Sequence, residues 1–133
     1  EETSWLMYGG GDKLTTSSLV DADATFVQSN GTSIDSVGDL NADGFADVAI
    51  GDAAYQDGAG VVRIYLSPLE GSYETIDADI ALQGEGSDAL GTSMTGAGDI
   101  DGDGVGDILV GAVGVDSNKE GDAPGAAFLF TGL

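Results

Sequence analysis

Apolar residues in this chain come in short clusters separated by stretches rich in glycine and aspartate. The clusters read WLMY at 5–8, FV at 26–27, VAI at 48–50, VVRIYL at 61–66, IAL at 80–82, ILV at 108–110 and AAFLF at 126–130. VAI and ILV are unbroken runs of β-formers, the pattern of strands buried on both faces. The 61–66 cluster partly alternates, with Arg63 directed away from the apolar face. No segment carries an i, i+3, i+4, i+7 stripe long enough for a helix. The pattern therefore predicts an all-β chain of short strands joined by tight turns.

These clusters recur with a period. Residues 31–51 read GTSIDSVGDLNADGFADVAIG and residues 91–111 read GTSMTGAGDIDGDGVGDILVG, an ungapped offset of sixty. Internal repetition at this period marks an array of like units. Downstream of each copy a glycine-containing loop leads to an apolar strand, and upstream Asp21-Ala22-Asp23 matches Asp77-Ala78-Asp79. Four short strands per sixty-residue unit is the pattern of a β-propeller blade, a four-stranded antiparallel sheet. The chain reads as a single propeller segment, residues 1–133, of about two blades plus a strand of a neighbouring one. Residues 1–10 supply the terminal strand of a preceding repeat; repeat one covers about 21–66 and repeat two about 77–133. Trp5 and Tyr8 are expected in core or blade–blade packing.

Composition narrows the function classes. Against 24 acidic residues stand 3 basic ones, a formal net charge of −21. Such a surface repels phosphate backbones and anionic headgroups, which argues against nucleic-acid and membrane-surface partners. It attracts cations, and its self-repulsion costs folding free energy unless metal ions or high salt offset it. Adaptation to high salt is a compatible source of the same acidity. Eighteen of the acids are Asp, a residue of turns and metal loops rather than helices. Cys and His are both absent, which excludes disulfides, thiolate chemistry, the Ser-His pair and most transition-metal sites. No apolar run reaches the length of a membrane span. The chain starts at Glu1, as expected of a processed form or a piece of something longer.

The acids concentrate in two loops. Asp39, Asn41, Asp43 and Asp47 occupy relative positions 1, 3, 5 and 9 of the first; Asp99, Asp101, Asp103 and Asp107 occupy the same positions of the second. Gly44 and Gly104 stand at position 6. Calcium takes six to eight oxygen ligands in flexible geometry, so one short segment must curl tightly to supply several of them. Alternate side chains converge on the ion and the glycine permits the sharp turn. The backbone carbonyls of Phe45 and Val105, at position 7, join the shell, and the position-9 aspartates close it. The apolar residues at positions 2 and 7 (Leu40 and Phe45, Ile100 and Val105) are expected to face the core and anchor the loops. Crowded carboxylates repel without a cation, so binding couples to loop folding. With ligand charges of about −3 and −4, the second loop is expected to hold its ion more tightly. A solvated acidic turn is the competing reading of one such loop, and two copies before two apolar strands weigh against it. An EF-hand is disfavoured because position 12 falls on Ile50 and Val110, inside strands.

GDLNADGFADVAIGDA at 38–53 and GDIDGDGVGDILVGAV at 98–113 resemble the FG-GAP repeats of integrin α-subunit β-propellers and their bacterial relatives. The resemblance implies four-stranded blades with calcium in the hairpin loop between a blade's first two strands, held by the eight side chains named above. The family's Phe-Gly stands here as Asn30-Gly31 and Leu90-Gly91, and its Gly-Ala-Pro as Gly51-Asp52-Ala53 and Gly111-Ala112-Val113. The function expected is a calcium-binding, non-enzymatic structural or adhesive module at the cell surface or outside the cell, with two calcium ions. The alternative is a non-catalytic accessory propeller domain of a secreted hydrolase. Two and a fraction blades do not close a ring. The chain is therefore expected to complete a longer propeller, a cyclic oligomer or an open stack. Exposed sheet faces would then favour self-association or a protein partner. The loops at Ala53–Gly60 and Gly114–Gly125, including Asp57 and the run from Asp116 to Glu120, are candidate contact loops that also fit a simple solvated reading.

Overall fold

The computed structural model describes residues 3–9, 18–27, 30–116 and 124–132. They form three sheets. The central one holds β3 (Ser33–Gly38), β4 (Asp47–Asp52), β5 (Val61–Tyr65) and β7 (Ile80–Gln83), a four-stranded antiparallel meander. The last holds β8 (Leu90–Gly98), β9 (Asp107–Ala112) and β10 (Ala126–Phe130), also antiparallel. In the first, β1 (Thr3–Leu6) pairs antiparallel with β2 (Ala24–Val27), and β2 takes β6 (Gly71–Tyr73) as a parallel neighbour. The chain is nearly all-β, and its sheets are arranged as propeller blades.

The sixty-residue offset is exact in the strand register. Ser33 lies opposite Gly51 as Ser93 lies opposite Gly111, and Gly38 opposite Asp47 as Gly98 opposite Asp107. Both first strands break register just before that last pair, at Gly38 and Gly98, whose φ values of 81° and 76° favour glycine. The first sheet repeats the outer half of the central one. Tyr8 N–H donates to Asp23 Oδ2 at 2.9 Å, and Leu66 N–H donates to Asp79 Oδ2 at 2.8 Å. The two aspartates belong to the matched Asp-Ala-Asp segments, so each carboxylate ties the end of one strand to the start of the next.

Why β4 lacks alternation is visible in the packing. Its Val48 and Ile50 join Ala24, Phe26, Tyr65 and Leu69 between the first and central sheets. Ala49, on the opposite face, joins Val37, Leu40, Val62, Ile64, Ile108 and Val110 between the central and last sheets. Each such buried aliphatic side chain contributes about 1.5–3 kcal/mol. Phe26 and Tyr65 meet at 4.8 Å between ring centroids and set the first interface.

Some expectations change. Arg63 does point away from Val62 and Ile64, yet it is buried, because β5 is covered on both faces. Its guanidinium lies 4.8 Å from the centre of the Tyr55 ring, a cation–π contact that suits a buried charge. Trp5 and Tyr8 are partly exposed rather than core, since no strand of the first sheet lies beyond β1 in the described residues. Tyr8 still contributes, with its hydroxyl accepting Leu69 N–H at 2.8 Å. In the Ala53–Gly60 loop, Gln56 and Asp57 both have positive φ, at 47° and 59°, and both side chains are exposed. Of the second contact loop, residues 117–123 lie outside the described residues, as do residues 1–2 and 10 of the first strand's repeat.

Candidate metal centre

Each acidic loop joins the first two strands of its sheet, β3 to β4 and β8 to β9. The loops curl around their own first aspartate. Asp39 Oδ1 accepts Asp43 N–H at 3.0 Å and its Oδ2 accepts Gly44 N–H at 2.8 Å. Asp99 does the same with Asp103 N–H at 3.0 Å and Gly104 N–H at 2.9 Å, and also takes Gly102 N–H at 2.7 Å. The side chains at positions 3 and 5 continue the curl. Asn41 and Asp101 accept the N–H of Asp43 and Asp103; Asp43 and Asp103 accept the N–H of Phe45 and Val105. Gly44 and Gly104 have φ of 92° and 91°, the left-handed turn that position 6 requires. Position 4 is left-handed as well, at Ala42 (φ 59°) and Gly102 (φ 81°), which the sequence signalled only through Gly102.

The position-9 aspartates are completely buried at the start of β4 and β9. Asp47 Oδ2 accepts Leu40 N–H at 2.8 Å, and Asp107 Oδ2 accepts Ile100 N–H at 2.6 Å. The other oxygens differ. Asp47 Oδ1 accepts Ser67 N–H at 2.8 Å, while Asp107 Oδ1 is buried with no hydrogen-bond partner among the described residues. Ser67 escaped the reading of the loops because it lies twenty residues downstream of Asp47, in the connection after β5, and carries no metal-loop signal. Its hydroxyl also donates to Ala46 C=O at 2.7 Å.

Asp99, Asp101 and Asp107 bring one carboxylate oxygen each within 4.8 Å of one another. Asp103 is not in that trio, and among the described residues Asp39, Asp43 and Asp47 form no such trio. In loop one the Asn41 amide instead donates to Asp43 Oδ2 at 2.9 Å, and both oxygens of Asp47 face backbone donors. An all-oxygen cluster with one buried, unpaired carboxylate oxygen fits a hard divalent cation of the calcium type. The loops also touch each other: Gly106 N–H donates to Asp39 C=O at 2.7 Å.

The anchoring residues divide. Leu40 is buried between the central and last sheets as expected, whereas Ile100 is 59% exposed and Phe45 54%. Leu40 is covered because the last sheet lies against it. No further sheet among the described residues covers Ile100. Phe45 instead lines an apolar cleft of about 420 Å³ with Tyr8, Ala46, Ser67 and Pro68. Val105 is half-buried.

No protein-family model matches the chain. Among curated proteins it is similar to integrin alpha-2 of Mus musculus, 33% identical over 89 residues, which is 63% of this chain and 8% of that protein. Integrin alpha-7 of Mus musculus is 40% identical over 85 residues, 62% of this chain and 7% of that one. Integrin alpha-5 of Xenopus laevis is 39% identical over 94 residues, 65% and 9% respectively. The chain thus spans less than a tenth of the length of the curated relatives it matches.

Proposed function

We propose that this chain, an integrin alpha-like FG-GAP repeat region, is a calcium-binding structural module of a cell-surface or extracellular adhesion protein. Two ions are held, one per loop. Asp39, Asn41, Asp43 and Asp47 with the Phe45 carbonyl form the first shell; Asp99, Asp101, Asp103 and Asp107 with the Val105 carbonyl form the second. The observation that carries the reading is Asp107, completely buried with its Oδ1 lacking a hydrogen-bond partner among the described residues, grouped with Asp99 and Asp101 so that one carboxylate oxygen of each lies within 4.8 Å of the others. An ionised oxygen without a hydrogen bond in a dry site is costly, and a cation supplies the missing partner.

The ions act as staples and perform no chemistry. They neutralise like charges that the loops force together, and so fix the hairpins at one end of the central and last sheets. Weak sites suffice where calcium is millimolar, as it is outside cells. Two faces fit the further proposal that the chain sits within a larger propeller or self-associates. Leu109 and Leu129 are 40% and 45% exposed on the outer face of the last sheet. Ala49 and Ile64, their cross-strand counterparts in the central sheet, are buried against a neighbouring sheet. A protein partner would meet this assembly through its loops.

Calorimetric titration of calcium into chelator-stripped protein, with magnesium as background, tests the reading. Two ions per chain are expected, with weaker binding after Asp103→Ala. A folded chain without saturable calcium binding would reduce both loops to acidic turns.

A further inference from the structure

We infer that the two loops bind their cations cooperatively, through one peptide group that they share; the inference rests on the calcium reading above. The peptide unit between Val105 and Gly106 has two ends. Its carbonyl belongs to the position-7 residue of loop two, and its N–H donates at 2.7 Å to the carbonyl of Asp39, the first residue of loop one. A carbonyl engaged by a cation makes the N–H of the same peptide a stronger donor, because hydrogen-bonded amides polarise one another. Loop two, closed on its ion, thereby fixes the backbone of Asp39, whose carboxylate organises loop one through Asp43 N–H and Gly44 N–H. Ordering of either loop also lowers the entropy still to be lost by the other.

Position 8 records this contact. A Cβ on Gly106 would stand 2.9 Å from the Asp39 carbonyl oxygen and 3.3 Å from its carbon, so only glycine lets the loops meet. Loop one has Ala46 at the same position, and there the residue is exposed, with the Ser67 hydroxyl on its carbonyl rather than the backbone of another acidic loop. The glycine therefore follows the contact rather than the loop's own curl.

The test is a calorimetric calcium titration of the whole chain, unaltered and as Asp43→Ala, Asp103→Ala and Gly106→Ala variants. Circular dichroism checks that each variant is folded, and amide hydrogen exchange is followed at Gly106. Disabling loop two with Asp103→Ala is expected to weaken loop one about fivefold or more. Asp43→Ala should weaken loop two by the same factor, since linkage is reciprocal. Protection of the Gly106 amide rises with calcium and falls in both variants. A surviving loop that keeps its affinity within about twofold in either variant overturns the coupling while leaving two calcium sites in place. Should the Asp variants not fold, Gly106→Ala decides, since it keeps every ligand. A weaker or broader isotherm supports the coupling, and an isotherm identical to the unaltered chain's overturns it. Absence of saturable binding by the unaltered chain overturns the calcium reading and the coupling with it.

Discussion

The same nine-residue pattern behaves differently in its two settings. In loop one the buried Asp47 has both oxygens occupied by backbone N–H groups, from Leu40 and Ser67. In loop two the equally buried Asp107 has one oxygen occupied and, among the described residues, one bare. The loops themselves are near-copies, so the difference comes from what the following chain brings to them. The connection after β5 returns Ser67 to Asp47 and then continues to Leu69, which is buried against the first sheet and bonded to Tyr8. Loop one is thus braced by protein at Asp47, and loop two leaves a carboxylate oxygen that a cation would satisfy.

Removing the two aspartates in turn tests this difference. Asp47→Ala strands two buried N–H groups, each costing about 1–3 kcal/mol. A loss of about 3 kcal/mol or more in stability is expected whether or not calcium is present, read by urea denaturation with and without chelator. Asp107→Ala strands only the Ile100 N–H, which is partly buried, at about 1–2 kcal/mol in chelator. Its larger consequence is expected to be loss of the stabilisation that calcium would give through loop two. Equal costs of the two variants in chelator would remove the distinction between a braced carboxylate and a bare one.

The next comparison is between paired glycines. Gly51 and Gly111 are sixty apart and both precede a turn. A Cβ on Gly51 would run into the backbone carbonyl of Gly91, on the next sheet, as well as into Ser33 Oγ. On Gly111 it would meet only Ser93, at its hydroxyl, which can rotate away. Gly51→Ala is therefore expected to cost about 2–3 kcal/mol and Gly111→Ala less than about 1 kcal/mol, measured as the shift in denaturation midpoint. Similar costs would mean that the central and last sheets are packed less closely at β8 than the geometry requires.

Much of this was legible in the sequence, and the reasons are physical. Strands buried on both faces announce themselves as VAI and ILV, and a position-6 glycine at φ above 90° leaves a mark no other residue can leave. The strand register followed from the sixty-residue offset. What escaped depends on partners distant in sequence. Ser67 looks like any loop serine, and nothing local says that its N–H reaches Asp47. Ile100 and Leu40 read alike, yet one is exposed and the other buried, because burial is decided by the neighbouring sheet. Arg63 read only as directed away from the apolar face, because alternation describes one sheet face and does not tell that the Tyr55 ring covers the other.

A smaller effect isolates the brace itself. Ser67→Ala keeps the N–H that Asp47 uses and deletes the hydroxyl that donates to Ala46 C=O. The expected cost is about 1 kcal/mol, with slower hydrogen exchange lost first at the loop one end of β4. Calcium stoichiometry is expected to stay at its parental value. A change in stoichiometry would place Ser67 in the cation's surroundings rather than in the brace.

The smallest expected effect concerns the first interface, where no metal loop intervenes. Burial pushes the Tyr65 hydroxyl above its ordinary value; Asp77 and Asp79 push the same way, and Arg63 opposes them. The folded chain therefore holds this proton more tightly than the unfolded one. Its contribution to stability is full below the unfolded value of 10.0 and is lost as pH rises through the higher folded value. Tyr65→Phe removes one long hydrogen bond, to Glu74 C=O at 3.4 Å, and near neutrality costs about 0.5 kcal/mol. Above pH 10 the gap between parent and variant should close and then reverse, because phenylalanine has no proton to lose. Denaturation midpoints taken at neutral and alkaline pH measure it. Parallel pH curves for the two chains would show that base denaturation begins at a group other than Tyr65.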